Sequence, residues 1–241
     1  MNEIKNAAGE SLDLQFHPAD SRNNLVILGH GLTGNKDRPL LVALAEGLAK
    51  HGWPCLRISF SGNGESGGSF TDSCITKQVG DLKAVLDTVP DHVRVAYIGH
   101  SMGAAAGVLT ALGDLRVRTV ISLAGMMKPG DFAAREFAGV TPDEGCIWED
   151  EDFPLSSTLA DDMKEIDSLL PLLENLIQPL LLIHGTEDDV VPIDDSRDAA
   201  RAKAGSELLE IPGAGHLFSD DSYPLLIATI DRWLAAHCGR E

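Results

Sequence analysis

VRVAYIGHSMGAAAGVLTAL, residues 93–112, decides the fold. Its first six residues, Val93 to Ile98, are an apolar, β-rich run of the length of a strand buried on both faces. From Met102 to Leu112 the chain is rich in alanine and leucine and reads as a helix. Between the two, Gly99-His100-Ser101 leaves room only for a sharp turn, and glycines at 99 and 103 let neighbouring backbone pack close. A serine on such a strand-to-helix turn projects its hydroxyl above the end of a sheet. The plainer reading is a serine that caps a helix N-terminus, and only further parts of the chain can displace it.

Outward from this turn the same alternation repeats. Strands are expected at Leu25 to Leu28, Cys55 to Phe60, Val93 to Ile98, Thr119 to Leu123, Leu180 to His184 and Glu207 to Ile211. Helical spacing of apolar residues marks Arg38 to Lys50, Ile75 to Thr88, Met102 to Leu112, Asp195 to Lys203 and Ser222 to His237. Continuously apolar strands joined by helices imply an α/β fold, a mainly parallel central sheet flanked by helices on both faces. Its 241 residues are expected to form a single domain, residues 1–241. One segment breaks the rhythm. Residues 126–165 are acidic and irregular, carry Phe132, Phe137, Trp148 and Phe153, and look like an insertion, either a lid or a decorative loop.

Composition narrows the partners. With 37 acidic against 19 basic residues the chain carries a formal charge of −18, a field that repels phosphate backbones and anionic lipid surfaces. Neither nucleic acid nor a membrane is expected as a partner, and the acidity itself reads as solubility. No apolar stretch approaches the roughly 18 residues of a membrane span, and the N-terminal MNEIKNAAGESLDL has no basic-then-apolar leader, so a cytoplasmic address is expected. Cys55, Cys74, Cys146 and Cys238 are far apart and read as free thiols. No metal-ligand spacing occurs, and no metal or other cofactor is expected. Oligomeric state is not legible.

Gly-x-Ser-x-Gly also occurs at Gly64-Glu65-Ser66-Gly67-Gly68. That copy lies in a glycine-rich stretch with no helical pattern after it and reads as a loop. Ser101 therefore takes precedence. A serine hydroxyl is a weak nucleophile unless a histidine accepts its proton and a carboxylate holds that histidine, and on a strand-to-helix serine turn the chain order is Ser, acid, His. Downstream of Ser101 stand His184, His216 and His237. His216, in the glycine-flanked loop Pro212 to Phe218, is the candidate base; His184 reads as a structural histidine ending a strand, and His237 as a solvated one. Glu187, Asp188 and Asp189 crowd the end of the strand Leu180 to His184, where open α/β sheets place functional groups. Asp188 is the first choice of the three, with Asp189 next and Glu187 third, because spacing alone does not say which side chain turns inward.

The oxyanion of a tetrahedral intermediate needs two fixed N–H donors. The backbone of Met102 is one candidate; the loop Gly29-His30-Gly31-Leu32-Thr33-Gly34 should provide the other. That loop also matches G-x-G-x-x-G, a dinucleotide pattern, but the acid such a site needs at the end of the next strand is replaced by Arg57, Ile58, Ser59 and Phe60.

Taken together, these pieces resemble the α/β-hydrolase superfamily over nearly the whole chain, and within it the cinnamoyl (feruloyl) esterase-like and serine aminopeptidase-like hydrolases. The family's HGxxGxK loop falls on His30 to Lys36, GHSxG on Gly99 to Gly103, HGxxDxxVP on His184 to Pro192 and GxGH on Gly213 to His216. Ala104 stands where many members have another glycine, and Phe60 to Ser66 lacks their Arg-Gly-His. The resemblance implies an α/β-hydrolase fold, the triad Ser101, Asp188 and His216, and oxyanion donors at Leu32 and Met102. It makes residues 126–165 a cap over the pocket, with Trp148, Phe153 and Leu217 as candidate substrate contacts. A carboxylesterase acting on small-to-medium esters, aryl or cinnamoyl among them, is the expected activity. Thioester, amide or carbon–carbon hydrolysis uses the same triad, and a non-catalytic binding protein on this fold is the alternative of another class.

Overall fold

The computed structural model describes residues 3–239. Its strands are β1 (Ile4–Lys5), β2 (Ser11–His17), β3 (Asn24–Gly29), β4 (Cys55–Ser59), β5 (Arg94–His100), β6 (Val117–Leu123), β7 (Leu180–Gly185) and β8 (Glu207–Ile211). They form one sheet in the order β1-β2-β4-β3-β5-β6-β7-β8. The β1–β2 and β2–β4 pairs are antiparallel; every pair from β4 across to β8 is parallel. The connecting helices are α1 (Pro39–Lys50), α2 (Ile75–Leu86), α3 (Met102–Gly113), α4 (Pro129–Glu136), α5 (Ser157–Ile166), α6 (Asp194–Ala202) and α7 (Tyr223–His237).

Alternate strand residues feed two cores. Val26, Leu28, Ala96, Ile98, Ile121, Leu181 and Ile183 pack against Leu40, Leu44 and Leu48 of α1 and Leu226, Ile230 and Leu234 of α7. Their neighbours Ile27, Tyr97, Val120 and Leu182 join Leu82 and Leu86 of α2 and the alanines of α3 on the opposite face. Burial on both faces is why the strands carry no polar alternation. Each fully buried leucine or isoleucine contributes about 1.5–3 kcal/mol, so the sheet is fixed from both sides.

Register then sets the rim. Gly29 pairs with Gly99, His100 with Leu123, Leu123 with Ile183 and Gly185 with Ile211. The carboxyl ends of β3, β5, β6, β7 and β8 therefore lie along one edge. Functional loops of open α/β sheets gather at that edge.

The six expected strands and five expected helices all occur, with ends moved by a few residues at most. Two strands were not foreseen. β2 (SLDLQFH) lies outside the parallel block; Leu12 and Leu14 face the core while its other residues are at least partly exposed, so it lacks the continuous apolar run that marked the rest. β1 has only two residues. The irregularity expected for residues 126–165 is corrected: α4, a short 3-10 turn at Ile147–Glu149 and α5 occupy much of that segment. α4 is an eight-residue helix opening on Pro129-Gly130, and α5 (STLADDMKEI) buries only Leu159 and Met163, too little periodicity to register. Phe132, Phe137, Ile147, Leu155, Leu159 and Met163 join the same core as α2 and α3. Phe132 and Phe137 meet edge to face at 5.9 Å.

Behind the sheet, the Trp233 indole N–H of α7 donates to Thr119 Oγ1 at 2.8 Å, and that hydroxyl donates to Pro179 O at 2.9 Å. Thr119→Val keeps the shape and leaves a buried indole donor without an acceptor. Urea unfolding should show a loss of about 1–3 kcal/mol with an unchanged slope; an unchanged midpoint would contradict the pairing.

Candidate active site

Ser101 stands between β5 and α3 at φ 53, ψ −120, a backbone region that a residue with a Cβ enters only under constraint. The constraint is visible. Ser101 N–H donates to Leu123 O (2.9 Å), while Ser101 O accepts from Ala104 N–H (3.0 Å) and Met126 N–H (3.2 Å). A Cβ on Gly103 would lie 2.4 Å from His30 O, and one on Gly99 2.5 Å from the Ala104 backbone. The flanking glycines thus let β3, β5 and α3 close on the turn. Met102 is the first residue of α3, so its N–H belongs to the first turn, which has no intrahelical acceptor.

Across the rim, the loop after β7 brings Asp188 to His216, which follows β8. His216 Nδ1 lies 2.8 Å from Asp188 Oδ2, while Asp188 Oδ1 accepts the N–H groups of Val190 and Val191, each at 2.9 Å. The Asp188 side chain has no exposed surface. Burial alone raises a carboxyl pKa, but hydrogen bonds from His184, His216 and the Val191 backbone, with the His216 charge, outweigh it and hold Asp188 far below the usual carboxylate range. An ionised Asp188 only accepts, so His216 Nδ1 carries the hydrogen, and in the neutral ring the lone pair is on Nε2. His100, beside Ser101, donates its Nε2–H to His216 O at 2.9 Å and packs its ring 4.7 Å from the His216 ring.

Ser101, His216, Gly31, Leu32, Trp148 and Leu217 border one cavity of about 620 Å³. Among the described residues no hydrogen bond joins the Ser101 hydroxyl to His216; contacts of this kind tighten when substrate is bound. The loop after β3 reaches the serine: a Cβ on Gly31 would lie 2.8 Å from Ser101 Cβ and 3.3 Å from its Oγ. The buried His30 fixes this loop, its Nδ1–H donating to Gly31 O (2.7 Å) and its Nε2 accepting Phe60 N–H (3.0 Å). Trp148 overhangs the cavity, 45% exposed, with its indole N–H on Glu136 Oε2 at 2.8 Å and its backbone, like that of Glu149, at positive φ. Phe153 does not border this cavity; it packs edge to face on Phe70 at 5.1 Å.

The other candidates are placed elsewhere. Ser66 accepts Asp13 N–H (2.8 Å) and donates to Ser59 O (2.7 Å), tying β2 to β4. Asp189 is exposed on the cavity border, Glu187 is exposed, and His237 is exposed against Trp233. Sequence reading missed the contacts of His184 and His100 with Asp188 and His216, since nothing in their spacing marks them. It also missed the wall that Leu40, Leu41 and Tyr223 give the cavity, residues that read only as helix starts. Among the described residues no group of three or more His, Cys, Asp or Glu side chains could hold a metal, and no helix is long and apolar enough to cross a membrane.

Burial lowers the pKa of His30 to about 4, with the Arg38 charge adding to it, and that of His100 to about 3, with the His216 charge adding to it. Unfolded histidines titrate near 6.5. Folded-state affinity for the proton is thus the weaker, so the stability these two groups contribute is full above about pH 6.5 and drains away as pH falls toward 4. Each adds a slope of up to about 1.4 kcal/mol per pH unit in that window. Urea midpoints measured from pH 7 to 4 should fall steadily; a flat profile would contradict the neutral, buried assignment.

Comparison with known proteins agrees with the fold. Among solved structures, Est1E from Butyrivibrio proteoclasticus with ferulic acid bound superposes with a TM-score of 0.88 at 24% identity, covering 100% of both chains. α/β hydrolase domain-containing protein 10 from mouse gives 0.80 at 20% identity, and the esterase domain of a Rhodothermus marinus protein 0.76 at 19%, each covering 98% of both chains. No curated protein sequence matches significantly. The profile of the alpha/beta hydrolase family matches residues 25–229, from the first parallel strand into the last helix. With its sheet order, its strand-to-helix serine and this match over most of its length, the chain belongs to the α/β hydrolase family.

Proposed function

We propose that the chain is a serine hydrolase that cleaves small-to-medium carboxylic esters through an acyl-enzyme. The observation that carries the reading is the 2.8 Å contact between His216 Nδ1 and the buried side chain of Asp188, with His216 bordering the cavity that Ser101 also lines. Ser101 is the nucleophile. His216 Nε2 takes the hydroxyl proton as Oγ attacks the ester carbonyl, and Asp188 stabilises the imidazolium that forms. The backbone N–H groups of Leu32 and Met102 receive the oxyanion, a contribution of about 3–4 kcal/mol per donor in comparable sites. Collapse of the intermediate expels the alcohol, which takes the proton from His216. Water then attacks the acyl-enzyme, its proton passing to His216 and back to Ser101, and the carboxylic acid leaves.

In this reading residues 1–241 form one catalytic domain and residues 126–165 its cap. Trp148, Leu217, Leu40 and Tyr223 give the cavity apolar and aromatic walls, which suit an aryl or cinnamoyl group. The likeness in fold to Est1E, a protein with ferulic acid bound, supports testing hydroxycinnamate esters first.

Ser101→Ala should lower kcat for p-nitrophenyl acetate by at least about 10³-fold with a wild-type unfolding curve, and Asp188→Asn should lower it by about 10⁴-fold. Equal rates for wild type and Ser101→Ala would remove the mechanism.

Trp148→Ala should raise KM for methyl ferulate about three- to ten-fold, the worth of one lost aromatic contact. KM for methyl butyrate should hardly move. Equal changes for both esters would take Trp148 out of aryl recognition.

A further inference from the structure

Two imidazole nitrogens stand against Asp188 Oδ2, and His216 supplies only one of them. The other belongs to His184, whose Nε2 is hydrogen-bonded to Val191 O at 2.9 Å and lies 3.1 Å from Asp188 Oδ2. A carbonyl and an ionised carboxylate only accept, so Nε2 carries the hydrogen, donated to Val191 O with Oδ2 close beside it. Nδ1 then holds the lone pair, and the Ser196 hydroxyl, 2.7 Å away in the first turn of α6, donates to it. Ser196 and His184 are both fully buried. A ring held at both nitrogens has one tautomer and one orientation.

We propose that His184 is a positioning residue for Asp188: its Nε2–H occupies one side of Oδ2, so that the carboxylate meets His216 Nδ1 from a single direction and with part of its charge already engaged. The inference rests on the hydrolase reading of Ser101, Asp188 and His216. Other charged groups nearby are otherwise occupied. Asp195 of α6 accepts the N–H groups of Met127 and Lys128, and Glu210, paired with His184 across β7 and β8, is held by Arg197. From β5, His100 packs on the His216 ring and bonds its carbonyl, not Asp188. No lysine or arginine among the described residues forms an ion pair with Asp188. Among the described residues the two histidines are therefore the only basic side chains paired with it.

Removing the His184 donor concentrates the Oδ2 charge on His216. The imidazolium is then favoured, and His216 holds its proton to higher pH. His184 does not border the substrate cavity, so binding is left alone.

The test is the pH profile of p-nitrophenyl acetate hydrolysis for wild type, His184→Phe, His184→Gln and Ser101→Ala. His184→Phe should lower kcat about ten-fold, equivalent to about 1.4 kcal/mol, with KM unchanged. Its acid limb should move up by about half a pH unit or more. His184→Gln, whose amide nitrogen can stand close to the Nε2 position, should return both toward wild type. A purely packing role would lower kcat with the limb in place and no rescue by glutamine, and that result overturns the inference. Loss of activity in Ser101→Ala alongside an unmoved limb in His184→Phe keeps the hydrolase reading and rejects this one; full activity in Ser101→Ala rejects both. If His184→Phe does not fold, nitrogen-15 NMR of the wild-type histidines decides: the Nε2–H tautomer at residue 184 supports the assignment and the Nδ1–H tautomer overturns it.

Discussion

The Asp188 carboxylate is the constraint around which this end of the molecule is built. It has no exposed surface and no lysine or arginine partner among the described residues, and a buried anion in that state is tolerable only when donors surround it. Three N–H groups do so, Val190 and Val191 on one oxygen and His216 on the other, with His184 Nε2 3.1 Å from that second oxygen. The two backbone donors fold the loop after β7 around the side chain. The two histidines attach that loop to the turn after β8 and to β7 itself. Without those donors the charge would be expelled to solvent, and the geometry between β7 and β8 would go with it.

A second constraint acts on the nucleophile side. Ser101 is kept at positive φ by hydrogen bonds to Leu123, Ala104 and Met126, and by glycines that let β3, β5 and α3 approach. The two constraints meet because the strand register aligns Gly29, Gly99, Leu123 and Gly185 at one rim. His100 joins them directly, standing next to Ser101 in sequence and holding the His216 carbonyl. The cavity between is an outcome of sheet register as much as of its lining side chains.

Most of this was legible because each part leaves a short-range mark. Buried parallel strands read as apolar runs, the turn at Gly99 to Gly103 as a glycine-bracketed serine, and the acid and base loops by their place after β7 and β8. What escaped leaves no such mark. β2 alternates because only Leu12 and Leu14 face the core; α4 and α5 are too short for a period to emerge among acidic residues. Phe153 read as a pocket residue because it is an aromatic in the cap segment, but whether it faces the cavity or Phe70 is decided by packing over distant sequence. His184 read as structural for the same reason: the 3.1 Å contact with Asp188 comes from the loop doubling back, and a spacing of four residues in a strand end does not announce it.

The hydroxyl beside this clamp should become covalently acylated during turnover. Rapid-quench mass spectrometry of the intact chain with p-nitrophenyl acetate, followed by peptide mapping, would capture that acyl group. A transient acetyl group should appear on the peptide containing Ser101, formed at the rate of the nitrophenolate burst. An adduct on Ser66 or on a cysteine, or turnover with no adduct at any residue, would contradict it.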